Sequence, residues 1–97
     1  MDDREYLIVL YDYYGELFSD NQRECFERYY FDNLSLSEIA ENEDKSRNAI
    51  HKTIKSVSNK LYFYEEKLEM YKKSQKLKEI IEIVDDKDIK KRLGELI

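Results

Sequence analysis

The apolar positions of this chain recur at the three- and four-residue spacing that is typical of amphipathic α-helices. The first such stretch predicts a helix that weakens near Gly15, and its apolar positions are Tyr6, Leu7, Leu10, Tyr11, Tyr14, Leu17 and Phe18. Ser19 is followed three residues later by Gln22, a spacing that lets the two residues cap a helix start reciprocally. A second helix should therefore begin there, and its apolar face carries Cys25, Phe26, Tyr29 and Tyr30.

Two further helix starts lie in the middle of the chain. Ser35 and Glu38 form a second capping-box pair, which predicts a short helix that ends near Asn42. Ser46 is a suitable N-cap for a much longer helix, because apolar residues then recur at alternating spacings of four and three. These residues are Ile50, Ile54, Val57, Leu61, Tyr64, Leu68 and Tyr71. The pattern predicts one long helix over about residues 46–73.

The apolar pattern changes near the end of this long helix. Continuing the same register would place polar residues in the apolar seam, so a bend or break is expected between Lys72 and Gln75. A new apolar face then begins with Leu77, Ile80, Ile81 and Val84. Asp85 and Asp86 can cap a last helix that carries Ile89, Leu93, Leu96 and Ile97. C-terminal helices are therefore predicted over about residues 76–97.

Length and composition agree with an all-α fold. A chain of 97 residues has the size of one small domain, which excludes a multidomain enzyme. It contains no proline and two glycines, so it lacks the turn residues that many-stranded β-architectures need. The sequence therefore predicts a single helical domain over residues 1–97, built as a small bundle around one long helix.

Charge is distributed unevenly along the chain, whose net charge is −5. Residues 1–44 contain thirteen acidic and three basic side chains, whereas residues 45–64 contain five basic side chains and no acidic one. Residues 65–97 are balanced at nine of each sign. The cationic segment is what a localised phosphate contact requires, and a solvated helix face is the alternative interpretation.

The short helix and the start of the long helix form the outline of a helix-turn-helix over about residues 35–60. Ala40 supplies a small side chain where the two helices cross, and apolar anchors flank it on both helices. Projecting the long helix at about 100° per residue places Asn48, Lys52, Lys55 and Asn59 opposite its apolar stripe.

This exposed row contains amines and amides without a carboxylate, which suits a nucleic-acid groove. Asparagine can pair with adenine, arginine with guanine, and lysine neutralises phosphates, while free N–H groups after Ser46 suit a phosphate. The candidate nucleic-acid-binding residues are Ser46, Arg47, Asn48, His51, Lys52, Lys55 and Asn59. His51 lies at the flank of the row and is equally well explained as a simply exposed side chain.

Several segments resemble a known family. Leu36-Ser37-Glu38-Ile39-Ala40 followed by Ser46-Arg47-Asn48-Ala49-Ile50 is similar to the helix-turn-helix of sigma-factor region 4. Flanking tyrosine-rich segments extend the match, so that residues 6–84 resemble the YlxM family of small bacterial proteins. The resemblance implies an all-helical, DNA-binding regulatory protein. It also implies a link to the signal recognition particle pathway, because the family's genes lie beside those for particle components.

The chain departs from the family at the turn, where Glu43, Asp44 and Lys45 replace the usual aromatic residue, glycine and valine. Two apolar contacts and a glycine suited to positive φ are therefore missing. We expect a longer, more mobile turn or weaker docking on DNA, with the acidic pair close to the phosphate site.

No catalytic, cofactor-binding or metal site is predicted. Cys25 lies mid-helix and is expected in the core, and one histidine with one cysteine cannot supply the ligands of a structural zinc site. The carboxylates form no acid–base or metal motif, and no glycine-rich phosphate loop is present. The longest apolar run, at residues 6–11, is too short to cross a bilayer, so we expect no membrane insertion and a cytoplasmic location.

Two hypotheses about partners remain open at this stage. In the first, the chain binds DNA through the helix that starts at Ser46. In the second, it is an adaptor that binds signal recognition particle protein or RNA through another surface, with the helix-turn-helix retained as a framework. The heptad seam either packs inside the chain or continues into a second copy as a coiled coil, which would make the protein a homodimer.

Overall fold

The computed structural model describes residues 1–97 and contains six α-helices and no β-strand. The helices are α1 (Asp3–Tyr14), α2 (Asp20–Tyr30), α3 (Leu36–Glu43), α4 (Arg47–Leu68), α5 (Met70–Ile83) and α6 (Lys87–Gly94). A 3₁₀ turn at Gly15–Leu17 joins α1 to α2. None of the helices combines the length and the apolar character needed to cross a bilayer. The predicted all-α class is confirmed.

The helix starts lie where the capping residues predict them. Ser19 accepts a hydrogen bond from the Gln22 backbone N–H at 3.2 Å, and its own N–H donates to the Gln22 side chain at 3.0 Å. Ser35 forms the same reciprocal pair with Glu38. Asp86 accepts bonds from two backbone N–H groups at the start of α6. These starts were predictable because a capping box involves neighbours within one turn.

Helix α4 contributes side chains to two clusters of buried residues. The first cluster joins α1, α2 and α4 through Leu7, Leu10, Tyr11, Tyr14, Phe18, Phe26, Val57 and Leu61. The second joins α2, α3 and α4 through Cys25, Ile39, Ala40, Ile50 and Ile54. The predicted apolar stripe of α4 therefore packs inside the chain along most of its length, and Cys25 is a core residue as predicted.

The long helix ends earlier than the heptad pattern predicts. It stops at Leu68, and Glu69 takes the left-handed conformation with φ 53°, so the prediction of a helix to residue 73 with a break at 72–75 is wrong. The cause is Glu65, whose buried carboxylate accepts hydrogen bonds from the backbone N–H groups of Tyr71 and Lys72 at 3.0 and 3.1 Å. Glu65 thereby caps the start of α5.

The last two helices extend away from the four-helix body. α5 begins at Met70 rather than near residue 76 and packs its first turns on α1, and α6 makes extensive contact with α5 alone. α6 contains no buried residue. The molecule is consequently elongated, with principal extents of 55 × 24 × 24 Å.

Candidate nucleic-acid interface

Helices α3 and α4 pack together as the sequence predicts for a helix-turn-helix. Ile39 and Ala40 of α3 are buried against Ile50 and Ile54 of α4, and Cys25 of α2 completes this cluster. The small Ala40 side chain lets the two helices approach closely. The first half of α4 is thus fixed to the body along one side, which leaves its opposite side facing solvent.

The turn between α3 and α4 is short and regular. Asp44 takes the left-handed conformation with φ 54°, and the backbone N–H of Lys45 donates to the Ala40 carbonyl at 2.9 Å. This is the hydrogen-bond pattern of a Schellman helix end, formed here with aspartate at a position where glycine is usual. The expectation of a longer turn is therefore wrong, because Asp44 occupies the strained position that the missing glycine would fill.

The two acidic residues of the turn point to different places. The Glu43 side chain is only 9% exposed and its carboxylate lies 3.8 Å from the Arg28 guanidinium of α2. Asp44, by contrast, is exposed. The expectation that both carboxylates lie beside a phosphate site is therefore wrong for Glu43, whose charge is turned inwards between α2 and α3.

Replacing Asp44 with glycine should raise the free energy of unfolding by about 1 kcal/mol, because glycine adopts positive φ without the steric cost of a Cβ atom. Urea denaturation followed by circular dichroism measures the change. Asp44→Ala is the matched control, since it removes the same charge but keeps the Cβ atom. Equal stability of the two variants would show that strain at this position is negligible.

All the candidate binding residues lie at the protein surface. The exposed set comprises Ser46, Arg47, Asn48, His51, Lys52, Lys55 and Asn59. Ser46 accepts a hydrogen bond from the Ala49 backbone N–H at 3.1 Å, so its side chain is used as the helix cap. The backbone N–H groups of Arg47 and Asn48, in the first turn of α4, have no acceptor within the helix.

The exposed side of α4 is a shallow cationic depression. Its lining residues are Lys52, Lys55, Ser56, Asn59, Lys60 and Phe63. None of the ion pairs in the protein includes one of these lysines, so their charges are not neutralised by a carboxylate within 4.0 Å. The predicted row is therefore accessible and carries uncompensated positive charge.

Three residues of this depression are absent from the set of binding residues predicted from the sequence, namely Ser56, Lys60 and Phe63. The signal for Phe63 was present in the helical projection, which places it between Lys52 and Ser56 at about 100° per residue. Phe63 is 53% exposed although its side chain is apolar. Phe63 extends the surface one turn beyond Asn59.

The other chemically distinctive residues form no second site. Cys25 is fully buried, and this burial raises the pKa of its thiol to about 11, so the thiol is protonated at neutral pH. No group of three histidine, cysteine or acidic side chains is placed so that it could hold a metal ion. The exposed side of α4 is therefore the best-defined candidate site.

Comparison with known proteins agrees with this architecture. A family model described as "Putative helix-turn-helix protein, YlxM / p13 like" matches residues 1–96. The chain belongs to the UPF0122 family. The resemblance seen in the sequence is thereby confirmed, and it covers almost the whole chain. The family is described by its helix-turn-helix and not by a catalytic activity.

Relatives in the family come from diverse bacteria. A UPF0122 protein of Caldanaerobacter subterraneus is 44% identical over 85 residues, which cover 88% of this chain and 73% of the relative. A UPF0122 protein of Ureaplasma urealyticum is 38% identical over 93 residues, covering 96% of this chain and 94% of the relative. One of Malacoplasma penetrans is 40% identical over 93 residues, with coverage of 96% and 87%.

Proposed function

We propose that this protein is a DNA-binding regulator that places the first half of α4 in the major groove. The observation that carries the proposal is the accessible row of amines and amides on α4, which contains no carboxylate and no paired lysine. A major groove about 12 Å wide admits one α-helix, and α4 is held to the body on the side away from this row.

Each residue of the row has a role that its chemistry supports. Asn48 and Asn59 can pair with adenine, Arg47 can pair with guanine, and Lys52 and Lys55 can neutralise phosphates. The free backbone N–H groups after Ser46, together with the positive end of the helix dipole, suit a phosphate oxygen. His51 at the flank of the row can donate to the sugar-phosphate backbone.

Charge outside the row favours the same docking orientation. The first 44 residues contain thirteen acidic and three basic side chains. Residues 45–64 contain five basic side chains and no acidic one. A polyanion is therefore repelled by the segment that contains α1, α2 and α3 and attracted to the first part of α4. An acidic protein can bind DNA in this way because the attraction is local.

The salt dependence of binding tests the proposal. If Lys52 and Lys55 contact phosphates, Lys52→Ala and Lys55→Ala should each lower the slope of log affinity against log salt by about 1. Fluorescence anisotropy with random duplex DNA at several salt concentrations measures the slope. Lys76→Ala on α5 is the matched control and should leave it unchanged. If both α4 variants keep the wild-type slope and affinity, Lys52 and Lys55 do not contact the DNA phosphates.

A second candidate function is favoured by the exposed charge of Asp44 and by the uncovered apolar side chains of α5 and α6. In this alternative the protein is an adaptor that binds signal recognition particle protein or RNA. Adding purified particle RNA and particle protein to the titration separates the two functions. The adaptor function would be favoured over DNA binding if the chain binds particle RNA or particle protein, if Lys52→Ala does not weaken that binding, and if the chain does not bind duplex DNA.

A further inference from the structure

The second half of the exposed side of α4 carries an aromatic ring among lysines. Phe63 is the single apolar residue that lines the cationic depression, and 53% of it is exposed. Lys55 and Lys60 line the same depression, and neither of them forms an ion pair. This combination suits a ligand that has both a flat apolar face and negative charge, as a nucleotide has.

The Phe63 ring is held in place by its neighbours along the helix. Lys67 Nζ lies 5.8 Å from the centre of the ring, and the Tyr64 ring meets it edge-on with the two centres 6.1 Å apart. Tyr64 in turn packs against the buried Tyr14 ring at 5.8 Å. The ring is thus connected to the core through Tyr64, while about half of its surface remains open to a ligand.

Phe63 lies beyond the part of α4 that a major groove can hold. At 1.5 Å per residue, Asn48 and Phe63 are separated by about 22 Å along the helix axis. Recognition helices contact base edges mainly through their N-terminal residues, and the groove then curves away from the straight helix. Docking of the first half of α4 on duplex DNA therefore leaves Lys60 and Phe63 without a paired base to contact.

The cationic surface ends one turn after Phe63. Glu66 is the first carboxylate in that direction, its side chain is 72% exposed, and it lies 3.9 Å from Lys67. Phosphates are attracted to the three lysines of the depression and are disfavoured near Glu66, whereas an uncharged base is not repelled there. The arrangement therefore suits a strand whose phosphates contact the lysines and whose base reaches the ring.

An apolar protein segment is a poorer occupant of this surface. Its side chains would cover the lysine amines around Phe63, and burying a charge without a partner is costly. Phe63 also offers such a segment no second apolar contact within the depression. A nucleobase needs only one ring to stack on, and this contact tolerates any base because every base has an aromatic face.

We propose that Phe63 stacks on an unpaired base of a DNA strand that continues from the duplex held by the first half of α4. Lys60 contacts a phosphate of the same strand. The site thus recognises a junction between double-stranded and single-stranded DNA. This inference rests on the proposed function, because duplex docking brings the unpaired strand to the second half of the helix. Lys55 and Phe63 are about 12 Å apart along the axis, so an extension of about five nucleotides reaches the ring.

A single tryptophan tests the stacking directly. The chain contains no tryptophan, so Phe63→Trp introduces one fluorophore at the position of the ring. A random-sequence duplex with a thymidine extension of this length, at its 5′ or its 3′ end, should quench the fluorescence. The blunt duplex, and the duplex with an abasic extension that keeps the phosphates, should not. Phe31→Trp is the matched control, since Phe31 is 48% exposed and lies outside α4, and its fluorescence should stay unchanged.

Binding affinity measures the contribution of the contact. Phe63→Ala should weaken binding to the thymidine-extended duplex by about 5-fold or more, the effect of one lost base–aromatic stack, and should leave binding to the blunt duplex unchanged. Lys60→Ala should lower the salt slope by about 0.7 with the extended duplex only, because its phosphate belongs to the single strand. Fluorescence anisotropy of labelled DNA measures both quantities.

The outcomes separate this inference from the proposed function. Absence of binding to every duplex would remove both. Equal affinity for the blunt, abasic-extended and thymidine-extended duplexes, with no quenching in Phe63→Trp, would overturn this inference alone. Equal quenching by the blunt duplex would also overturn it, because the ring would then contact paired DNA.

Discussion

Replacing Glu65 with alanine is expected to lower the free energy of unfolding by about 3 kcal/mol. Losses of this size are typical when a buried charged group that accepts several hydrogen bonds is removed. The Glu65 side chain is almost completely buried and accepts the Tyr14 hydroxyl at 2.6 Å. It also accepts the backbone N–H groups of Tyr71 and Lys72. Alanine leaves the Tyr14 hydroxyl and two partly buried backbone N–H groups without this acceptor and opens a cavity between α1 and the start of α5.

Thermal unfolding measures this loss. In a domain of this size a loss of 1 kcal/mol shifts Tm by about 4–8 °C, so Glu65→Ala should lower Tm by roughly 12–24 °C. Tyr14→Phe is a milder comparison, because it removes the hydrogen bond to Glu65 and the one that the hydroxyl accepts from the Met70 backbone N–H, and leaves the two backbone bonds to Glu65 in place. It should cost about 1–2 kcal/mol.

Amide hydrogen exchange distinguishes a local effect from a general one. The backbone N–H groups of Tyr71 and Lys72 should lose protection in Glu65→Ala before those in the middle of α4, because Glu65 is their acceptor. A loss of stability below about 1 kcal/mol, with these amides still protected, would mean that water or another side chain replaces the carboxylate.

Alkaline pH is expected to destabilise the protein through Tyr11 and Tyr14. Burial is the main cause that raises the pKa of each phenol to about 12, and a hydrogen bond donated to Glu27 or Glu65 adds to it. The unfolded chain titrates near the usual value of 10, so the folded state favours the neutral phenols. Their contribution is complete below pH 10 and is lost as the pH rises from 10 to 12.

The expected loss is about 2–3 kcal/mol for each tyrosine across this interval, from 1.36 kcal/mol per pKa unit. Guanidinium denaturation at pH 9, 10, 11 and 11.5 measures it, and absorbance at 295 nm follows phenol ionisation. The double variant Tyr11→Phe/Tyr14→Phe should show a flatter dependence of stability on pH. The same dependence in this variant and in the wild type would assign the alkaline loss to other groups.

Local sequence was sufficient for most helix starts and for the packing side of α4. A capping box such as Ser35 with Glu38 involves residues within one turn, and a helical stripe needs only the angle per residue. The exposed side of α4 followed from the same projection. These features do not depend on knowing which parts of the chain meet in space.

Features that depend on tertiary contact could not be predicted. The end of α4 at Leu68 is set by Glu65, which pairs with Tyr14, 51 positions away. Tyr71 continues the heptad spacing of α4, although it belongs to α5 and packs against α1. The inward direction of Glu43 depends on Arg28 of α2 in the same way. Spacing alone cannot reveal such contacts.

Helix α4 belongs to both buried clusters and also carries the cationic row. The segment that carries the cationic row is consequently packed against the core along one side. A surface of this kind loses little conformational entropy when it docks, so more of the electrostatic attraction remains as affinity. In this protein the core that makes the chain fold also holds the cationic surface in place.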